Sequence, residues 1–337
     1  MTIKARNTTR FWRTQAFLVC LGVALLSLFF AMGTGVSGVS YQQLFECLNG
    51  CDTPLTQTIL FDIRLPRVLT GFLAGFGLAM SGALMQNVTR NPLADPYLFG
   101  LVAGAGLGAT LATLLPVSWQ FLSIPVAAFL GALASITVVL VLLRQAHWHR
   151  VEHLLLAGVA VSFLCSAITS FILYMGDAFA ANRVIFWLMG SLANHNKYAV
   201  VILVTVIVVS LLLSLALARQ LDALLLSDES AQSLGVDVKR LRVIILLSCA
   251  AMCAVIVAFC GGIGFVGLMI PHIVRHFFAK TTAKLIIFSG LIGGSFLVWV
   301  DVLARTLLDG QEIPIGVITS LLGSVFFLIL LRQMKSN

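Results

Sequence analysis

Residues 243–274 read VIILLSCAAMCAVIVAFCGGIGFVGLMIPHIV, a stretch of 32 residues without Asp, Glu, Lys or Arg. The hydrocarbon core of a bilayer is about 30 Å thick and is crossed by a helix of roughly 20 apolar residues. This stretch is long enough to span a membrane, and four glycines from Gly261 to Gly267 and Pro271 punctuate its second half. Such punctuation predicts that one helix ends there and a shorter helix begins.

Apolar runs of this kind fill most of the 337-residue chain, in which 60% of residues are hydrophobic and 10% are charged. A soluble domain carries roughly 25% charged residues. This composition therefore excludes a soluble enzyme and a disordered protein. The net charge of +8 is not arranged as a basic stripe with interleaved aromatic residues, so it does not indicate a nucleic-acid partner. The composition predicts an all-α polytopic membrane protein that faces lipid.

The runs without charged residues predict ten transmembrane helices in one transmembrane domain, residues 1–337. Two long runs each supply two helices: Pro116 divides one of them, and the glycines divide the other. Residues 184–196 are too few to span and predict a re-entrant or interfacial segment. The apolar runs are 14–45, 68–89, 96–143, 154–176, 198–218, 243–274, 285–300 (continuing to about 308) and 313–331.

Positive charge predicts the orientation. Ten helices that alternate from a cytoplasmic N-terminus place sixteen of the 21 basic residues in the cytoplasm, as membrane proteins generally do. Both termini are then cytoplasmic, and the first helix is an uncleaved anchor. Arg64, Arg67 and Arg305 fall on the external side, where Arg64 and Arg67 lie one helical turn apart. Asp301, one turn from Arg305, is expected to pair with it.

Two of the seven cysteines, Cys47 and Cys51, fall in the first external loop. Their spacing permits a disulfide in an oxidising periplasm, and the sequence leaves open whether it forms. The other five cysteines fall in spans, where they are expected to behave as small apolar residues.

The chain carries no sign of its own energy source. It has no Gly-x-x-x-x-Gly-Lys-Ser/Thr loop, which is the loop that cradles ATP. Carriers driven by ion gradients place acidic or histidine relays in the membrane, and Asp301 is the one acid clearly within a predicted span. We therefore expect a partner to supply the energy and no cofactor to bind this chain. An ion-gradient-driven carrier that works without an ATPase is the alternative.

One catalytic string occurs in the sequence. His149, Glu152 and His153 match the His-x-x-Glu-His order of a family of zinc peptidases. The string lies in a basic cytoplasmic loop with no evident third ligand. We expect neither a metal site nor a catalytic residue there. A membrane zinc hydrolase is the alternative, and a metal assay on the purified protein would distinguish it from a transport protein.

Seven short strings, in this order along the chain, resemble the permease subunits of ABC importers for iron–siderophores, haem and vitamin B12. The resemblance extends from about Leu60 to Arg332. The strings are IRLPR (63–67), SGALMQ (81–86), RNPLADP (90–96), FWLMGSL (186–192), AQSLG (231–235), GFVGLMIPH (264–272) and DVLAR (301–305).

The resemblance implies an importer in a bacterial inner membrane. Two copies of the chain would form the pathway, two cytoplasmic ABC ATPases would bind ATP and Mg²⁺, and a periplasmic binding protein would deliver the substrate. Iron–siderophore is the first expectation for the substrate, followed by haem, cobalamin and a metal oxyanion such as molybdate.

The resemblance also implies roles for single residues. The polar cytoplasmic segment 220–242 is, by its composition, either a surface helix that stops at a glycine or a plain loop. The resemblance implies that it contacts the ATPase as a coupling helix pair. Its expected contact residues are Leu226, Asp228, Glu229, Ala231 and Gly235.

Three further sets of residues complete the expected sites. Hydroxyl residues of the fifth span are pathway candidates, although such residues also serve ordinary helix packing. The sets are Arg64, Arg67 and Arg305 for docking of the binding protein, Asn91 and Leu93 for a cytoplasmic gate, and Ser162, Ser166, Thr169 and Ser170 for the pathway.

Overall fold

The computed structural model of the chain describes residues 3–35, 41–48, 51, 53–115, 117–145, 151–176, 178–193, 197–278, 281–308 and 310–334. Helices dominate, and none of these described residues lies in a strand. In chain order the α-helices are α1 (Ile3–Gly33), α2 (Tyr41–Leu48), α3 (Pro54–Gln57), α4 (Leu65–Thr89), α5 (Leu101–Ala112), α6 (Val117–Gln145), α7 (Val151–Met175), α8 (Ala178–Leu188), α9 (Lys197–Ala216), α10 (Ala218–Leu224), α11 (Asp228–Ser233), α12 (Val238–Cys260), α13 (Val266–Phe277), α14 (Thr282–Thr306) and α15 (Ile315–Met334). A π-helical stretch, Thr58–Arg64, leads into α4, and a 3-10 turn, Pro96–Phe99, precedes α5.

Eight helical stretches among the described residues are long and apolar enough to cross a bilayer. Seven of them lie within α1, α6, α7, α9, α12, α14 and α15, and the eighth, Pro54–Thr89, includes α4. The helices α5 and α13 have 12 residues each, so each extends about 18 Å. The predicted all-α polytopic fold is confirmed, and the number ten is reached only if these two short helices are counted with the eight.

Both predicted breaks inside long apolar runs are present. Helix α5 ends at Ala112 and α6 begins at Val117, on either side of Pro116, which lies outside the described residues. Gly261, with φ of 70°, ends α12, and Phe265 precedes α13 with φ of 67°. A left-handed backbone at these two positions stops one helix before the next begins.

One predicted boundary is wrong. The short segment predicted at residues 184–196 contains only the end of α8, which begins six residues earlier; residues 194–196 lie outside the described part of the chain. The predicted segment begins after Arg183 because the uncharged run begins there, but Arg183 is exposed on a helix that continues through it. The run 14–45 supplies one candidate span, and α1 ends within that run at Gly33.

Helices α4 and α14 form the centre of the bundle, and their backbones touch. A Cβ atom added at Gly75 would collide with the carbonyl oxygen of Gly293, and one added at Gly293 would lie 2.6 Å from the carbonyl oxygen of Gly75. Farther along α4, Gly82 faces the backbone of Gly267 in α13 in the same way. Small residues allow this close approach between membrane helices, and most of the residues of α4 are consequently buried.

The topology gives the bundle two ends. Arg64, Arg67 and Arg305 lie with the last residues of α1 and the start of α15 at the first end, which we call the arginine end. The last residues of α4, the start of α14, and α10 and α11 lie at the opposite end, which we call the surface-helix end.

The close contact between α4 and α14 makes a prediction about stability. Gly75→Ala should lower the free energy of unfolding by about 1–3 kcal/mol, because the added methyl group must push the two helices apart. Thermal unfolding of the purified protein in detergent measures the effect. Gly22→Ala in α1 is the control, because a Cβ there meets nothing within 4 Å. Equal unfolding temperatures for the two variants would contradict the packing described here.

Candidate functional sites at the two ends of the bundle

A buried carboxylate organises the arginine end. Asp301, on α14, accepts hydrogen bonds from Arg67 Nε at 3.0 Å and from Arg67 Nη2 at 2.9 Å. Arg67 also binds Glu312, which lies before α15, at 2.7 Å. The predicted ion pair with Arg305 is present, with 3.3 Å between Arg305 Nε and Asp301 Oδ2. Arg67 is nevertheless the closer partner of Asp301.

The other two arginines bind the end of α1. Arg64 donates to the carbonyl oxygen of Met32 at 2.7 Å. Arg305 donates to the carbonyl oxygens of Ala31 and Thr34, both at 2.8 Å. The last carbonyl groups of a helix have no hydrogen-bond partner within the helix. The two guanidinium groups supply hydrogen bonds to the carbonyl oxygens at the end of α1.

The three arginines are therefore together, as the sequence predicts, and they are bound inside the chain. Arg64 and Arg305 are buried, and Arg67 is mostly buried. Docking of a binding protein by these residues stays a prediction. Arg67, beside the opening lined by Gly190, Ser191 and Glu312, is the most exposed of the three.

Cys47 and Cys51 are joined by a disulfide at the same end of the bundle, with their Cα atoms 4.0 Å apart. Cys47 is buried with Leu44 and Leu60, and Cys51 packs against this cluster. The remaining five cysteines form no disulfide.

The four predicted pathway residues line one cavity of about 440 Å³. Ser162, Ser166, Thr169 and Ser170 contribute from α7, and Tyr97 contributes from the 3-10 turn before α5. No charged residue is among the described lining residues, and the others are apolar or small. The structure thus places the four hydroxyl residues in one concave wall, while their role in transport stays a prediction.

The predicted gate residues lie in a compact turn after α4. The side chain of Asn91 accepts a hydrogen bond from the Leu93 amide at 2.9 Å. The Leu93 side chain is exposed. Arg90 ends α4 with φ of 51°. Asp95 closes the turn by accepting a hydrogen bond from the Tyr97 amide at 2.7 Å. Asp95 is buried, and burial raises its pKa to about 6.

The predicted coupling segment forms two short helices, α10 and α11, which is the helix pair that the resemblance implies, whereas composition alone indicated one surface helix or a loop. Ser227 caps α11, and the first residue of that helix, Asp228, binds Arg90 at 2.6 Å and Arg242 at 3.0 Å. The predicted glycine stop is present, because Gly235 ends the segment with φ of 80°.

The coupling residues divide by exposure. Ala231 is buried and holds α11 against the bundle. Glu229 and Gly235 are exposed, and Leu226 and Leu234 expose 72% and 67% of their surface. These two leucines lie outside the candidate spans.

Several residues at the two ends are not identified by the sequence patterns. Glu312 is the second partner of Arg67, and Asn87 and Asp222 both bind Thr282 at the surface-helix end. The available signal was the amide of Asn87 inside an otherwise apolar run. A polar side chain in such a run usually has a partner inside the protein.

The zinc-peptidase string is mostly outside the structure. His149 lies outside the described residues, and only the helical backbone is described for Glu152 and His153. Elsewhere in the described chain, no group of three or more His, Cys, Asp or Glu residues could hold a metal ion.

A membrane-spanning helical bundle with a pair of short helices at one end is the architecture of a transporter subunit. Residues 23–333 match the FecCD transport family, so the chain belongs to this family of ABC importer permeases. The family inferred from the seven sequence strings is thereby confirmed.

Curated relatives and a solved structure agree with this assignment. The chain is 41% identical over 278 residues to the cobalamin import system permease protein BtuC of Halobacterium salinarum, covering 82% of this chain and 74% of that one. It is 37% identical over 330 residues to the hemin transport system permease protein HmuU of Yersinia pestis, covering 96% and 98%. A metal-chelate type ABC transporter solved in an inward-facing conformation matches with a TM-score of 0.84 at 28% identity, covering 95% and 99%.

The buried carboxylate at the arginine end predicts a large effect of Asp301→Asn. Removing one partner of a buried ion pair costs about 3–5 kcal/mol, because the remaining charges stay buried. Thermal unfolding in detergent should show this loss. Asp62→Asn is the matched control, since Asp62 binds Lys197 at 2.7 Å in an exposed pair that is worth only about 0–1 kcal/mol. Similar small effects for both variants would show that Asp301 does not hold the cluster.

The raised pKa of Asp95 predicts a dependence of stability on pH. The folded chain has a pKa of about 6 at this group against the ordinary 3.8, so it binds the proton more tightly than the unfolded chain. The Asp95 contribution to the free energy of unfolding should fall by about 3 kcal/mol as pH rises from about 4 to above 6. Asp95→Asn, which keeps an acceptor for the Tyr97 amide, should remove this contribution.

Unfolding temperatures at pH 5 and pH 7.5 test this dependence. Relative to the parent, Asp95→Asn should be more stable at pH 7.5 than at pH 5. The exposed Asp237, which caps α12 by accepting from the Arg240 amide at 3.0 Å, provides the control variant Asp237→Asn. A difference between parent and Asp95→Asn that is the same at both pH values would refute the assignment of this pKa.

Proposed function

We propose that the chain is the permease of a binding-protein-dependent ABC importer that carries a metal chelate across a bacterial inner membrane. The observation that carries this proposal is the pair of exposed leucines, Leu226 and Leu234, which lie just after the ends of α10 and α11. Apolar side chains that lie outside the candidate spans and face neither the core nor lipid indicate a protein partner. Asp228 of α11 binds Arg90, at the end of α4, and Arg242 of α12. A displacement of α11 would therefore be transmitted to α4 and α12.

The partner at this surface is an ABC ATPase, one for each of two copies of the chain. Leu226, Asp228, Glu229, Ala231 and Gly235 are the residues that we assign to this contact. The ATPase would bind ATP and Mg²⁺, and this chain would hold no cofactor. The absence of an ATP-binding loop in the sequence supports that division of labour.

The second copy of the chain is assigned to the side of the bundle that carries the cavity. Phe163 and Phe171 of α7 are exposed beside the hydroxyl residues that line it. With a second copy packed there, the cavity becomes one wall of a shared pathway. Asn91 and Leu93 would narrow this pathway at the surface-helix end.

The uncharged wall supports a chelate as the substrate. A metal ion enclosed by an organic chelator presents little local charge, and it passes a wide, weakly binding wall without being trapped. A small oxyanion such as molybdate would instead be expected to meet cations. We place iron–siderophore first, followed by haem and cobalamin, since related permeases serve hemin, cobalamin and ferric dicitrate import.

The proposed topology has ten spans in one domain, residues 1–337. The eight long helices and the two short ones supply the ten spans, and both termini lie in the cytoplasm. The arginine end then faces the periplasm, where the binding protein would dock on Arg67, with Arg64 and Arg305 beneath it. The contact of Glu312 with Arg67 supports this arrangement, because it brings the start of α15 to the same end as the end of α1.

Reconstitution tests the proposed function. The chain is purified from its native membrane with its bound partners, and the solute recovered with the binding protein is offered to proteoliposomes. Uptake should require ATP, the ATPase and the binding protein together. Uptake by the chain alone along an ion gradient would establish the alternative, a secondary carrier.

The exposed leucine pair makes a sharper prediction. Leu226→Glu should leave the unfolding temperature unchanged, because the side chain is exposed, and should abolish co-purification of the ATPase because it charges an apolar contact. Leu55→Glu is the matched control, since Leu55 is 70% exposed at the arginine end. Retention of the ATPase by Leu226→Glu, or its loss from Leu55→Glu, would overturn the assignment of this surface.

A further inference from the structure

A chain of hydrogen bonds runs from α10 into the bundle. Asp222 Oδ1 accepts hydrogen bonds from the backbone N–H of Thr282 at 2.7 Å and from its hydroxyl at 2.6 Å. Thr282 is the first residue of α14. A carboxylate at the positive end of a helix dipole is a favourable contact, so Asp222 ties α10 to the start of the central helix α14.

The chain of bonds continues to α4. The Asn87 side-chain amide donates to the Thr282 hydroxyl at 2.8 Å and accepts from Arg275, near the end of α13, at 2.8 Å. Asn87 and Thr282 are each only 1% exposed. Water therefore does not compete for these bonds, and a buried polar network of this kind holds one geometry.

The second surface helix reaches the same turn of α4 by a separate route. Asp228 of α11 binds Arg90 at 2.6 Å, and the Arg90 amide lies 3.3 Å from the Asn87 carbonyl oxygen in the closing turn of the helix. Each surface helix thus connects to the four residues from Asn87 to Arg90 by one carboxylate. Asp222 does so through Thr282, and Asp228 binds Arg90 directly. The next residue, Asn91, begins the turn that exposes Leu93.

We propose that the last turn of α4, Asn87 to Arg90, receives the motion of the two surface helices through Asp222 and Asp228 and passes it to the turn at residues 91–95. Asn87, Thr282, Asp222 and Arg90 are positioning residues in this proposal, because they act through their contacts with other helices of the chain. The proposal rests on the proposed function, in which an ATPase moves α10 and α11.

The network contains more than a helix cap requires. Asp222 accepts the Thr282 N–H without help from other residues, yet Asn87 and Arg275 extend the connection to two other helices. The same turn is held from α11 by an ion pair that contributes nothing to α14. The arrangement fixes the position of the turn with respect to both surface helices at once, which is what a transmitting element needs.

The experiment uses the complex of the chain with the ATPase that co-purifies with it. A fluorophore that senses its environment is attached to the variant Leu93→Cys, and ATP with vanadate is the probe, so no substrate needs to be known. The chain without the introduced cysteine reports background labelling. Thr282→Val removes the hydroxyl with little change of shape, Thr282→Ser keeps it, and Arg90→Gln removes the ion pair.

Matched controls exist for both substitutions. Thr110→Val in α5 removes a buried hydroxyl that bonds to the Gly106 carbonyl oxygen in its own helix. Arg240→Gln removes an exposed ion pair with Asp237 inside one helix start. ATPase association, ATP hydrolysis and unfolding temperature are measured for every variant. If Thr282→Val does not fold, Asp222→Ala, at a partly exposed position, replaces it.

Thr282→Val and Arg90→Gln should each keep the ATPase bound and reduce the ATP-induced fluorescence change by about fivefold or more, the scale of a lost coupling contact. The double variant should lose the change entirely, whereas Thr282→Ser and both controls should respond as the parent does. A parental response from the double variant overturns the proposal, and so does loss of ATPase binding from it. Failure of the parent itself to bind an ATPase would instead refute the proposed function.

Discussion

The close contact between α4 and α14 is the constraint on which the rest of the bundle depends. Gly75 and Gly293 allow the two backbones to touch, and no lipid or water separates helices that approach so closely. Without a hydrophobic driving force inside a bilayer, such packing is a main source of helix association. Because both helices span nearly the whole bundle, this contact sets the position of both of its ends.

The charged residues of α4 and α14 lie near those ends. Asp301 lies near one end of α14 and Thr282 begins the other, and each faces a partner on or next to α4. From Leu285 to Val300 the helix has no charged residue. A displacement of α14 along its axis would therefore disturb both polar clusters together. One continuous helix of 25 residues joins the arginine end to the surface-helix end.

The sequence is sufficient for the class of fold because each span is encoded locally. An uncharged run of about 20 residues is a helix wherever it lies in lipid, and the glycines from Gly261 to Gly267 break the helix by their own backbone freedom. The partners of polar residues are not encoded in this way. Arg67 and Asp301 are 234 positions apart, and Asn87 and Thr282 are 195 apart. Helical periodicity fixes the face of each residue on its own helix but not the helix that it meets, so Asp301 was assigned to its neighbour Arg305.

The arginines that complete α1 have a consequence for how the chain is made. A chain is synthesised from its N-terminus, so α1 reaches the membrane before α14. The carbonyl oxygens of Ala31 and Thr34 accept hydrogen bonds from Arg305, which is synthesised more than 270 residues later. The end of α1 therefore lacks these two hydrogen bonds until α14 has been made.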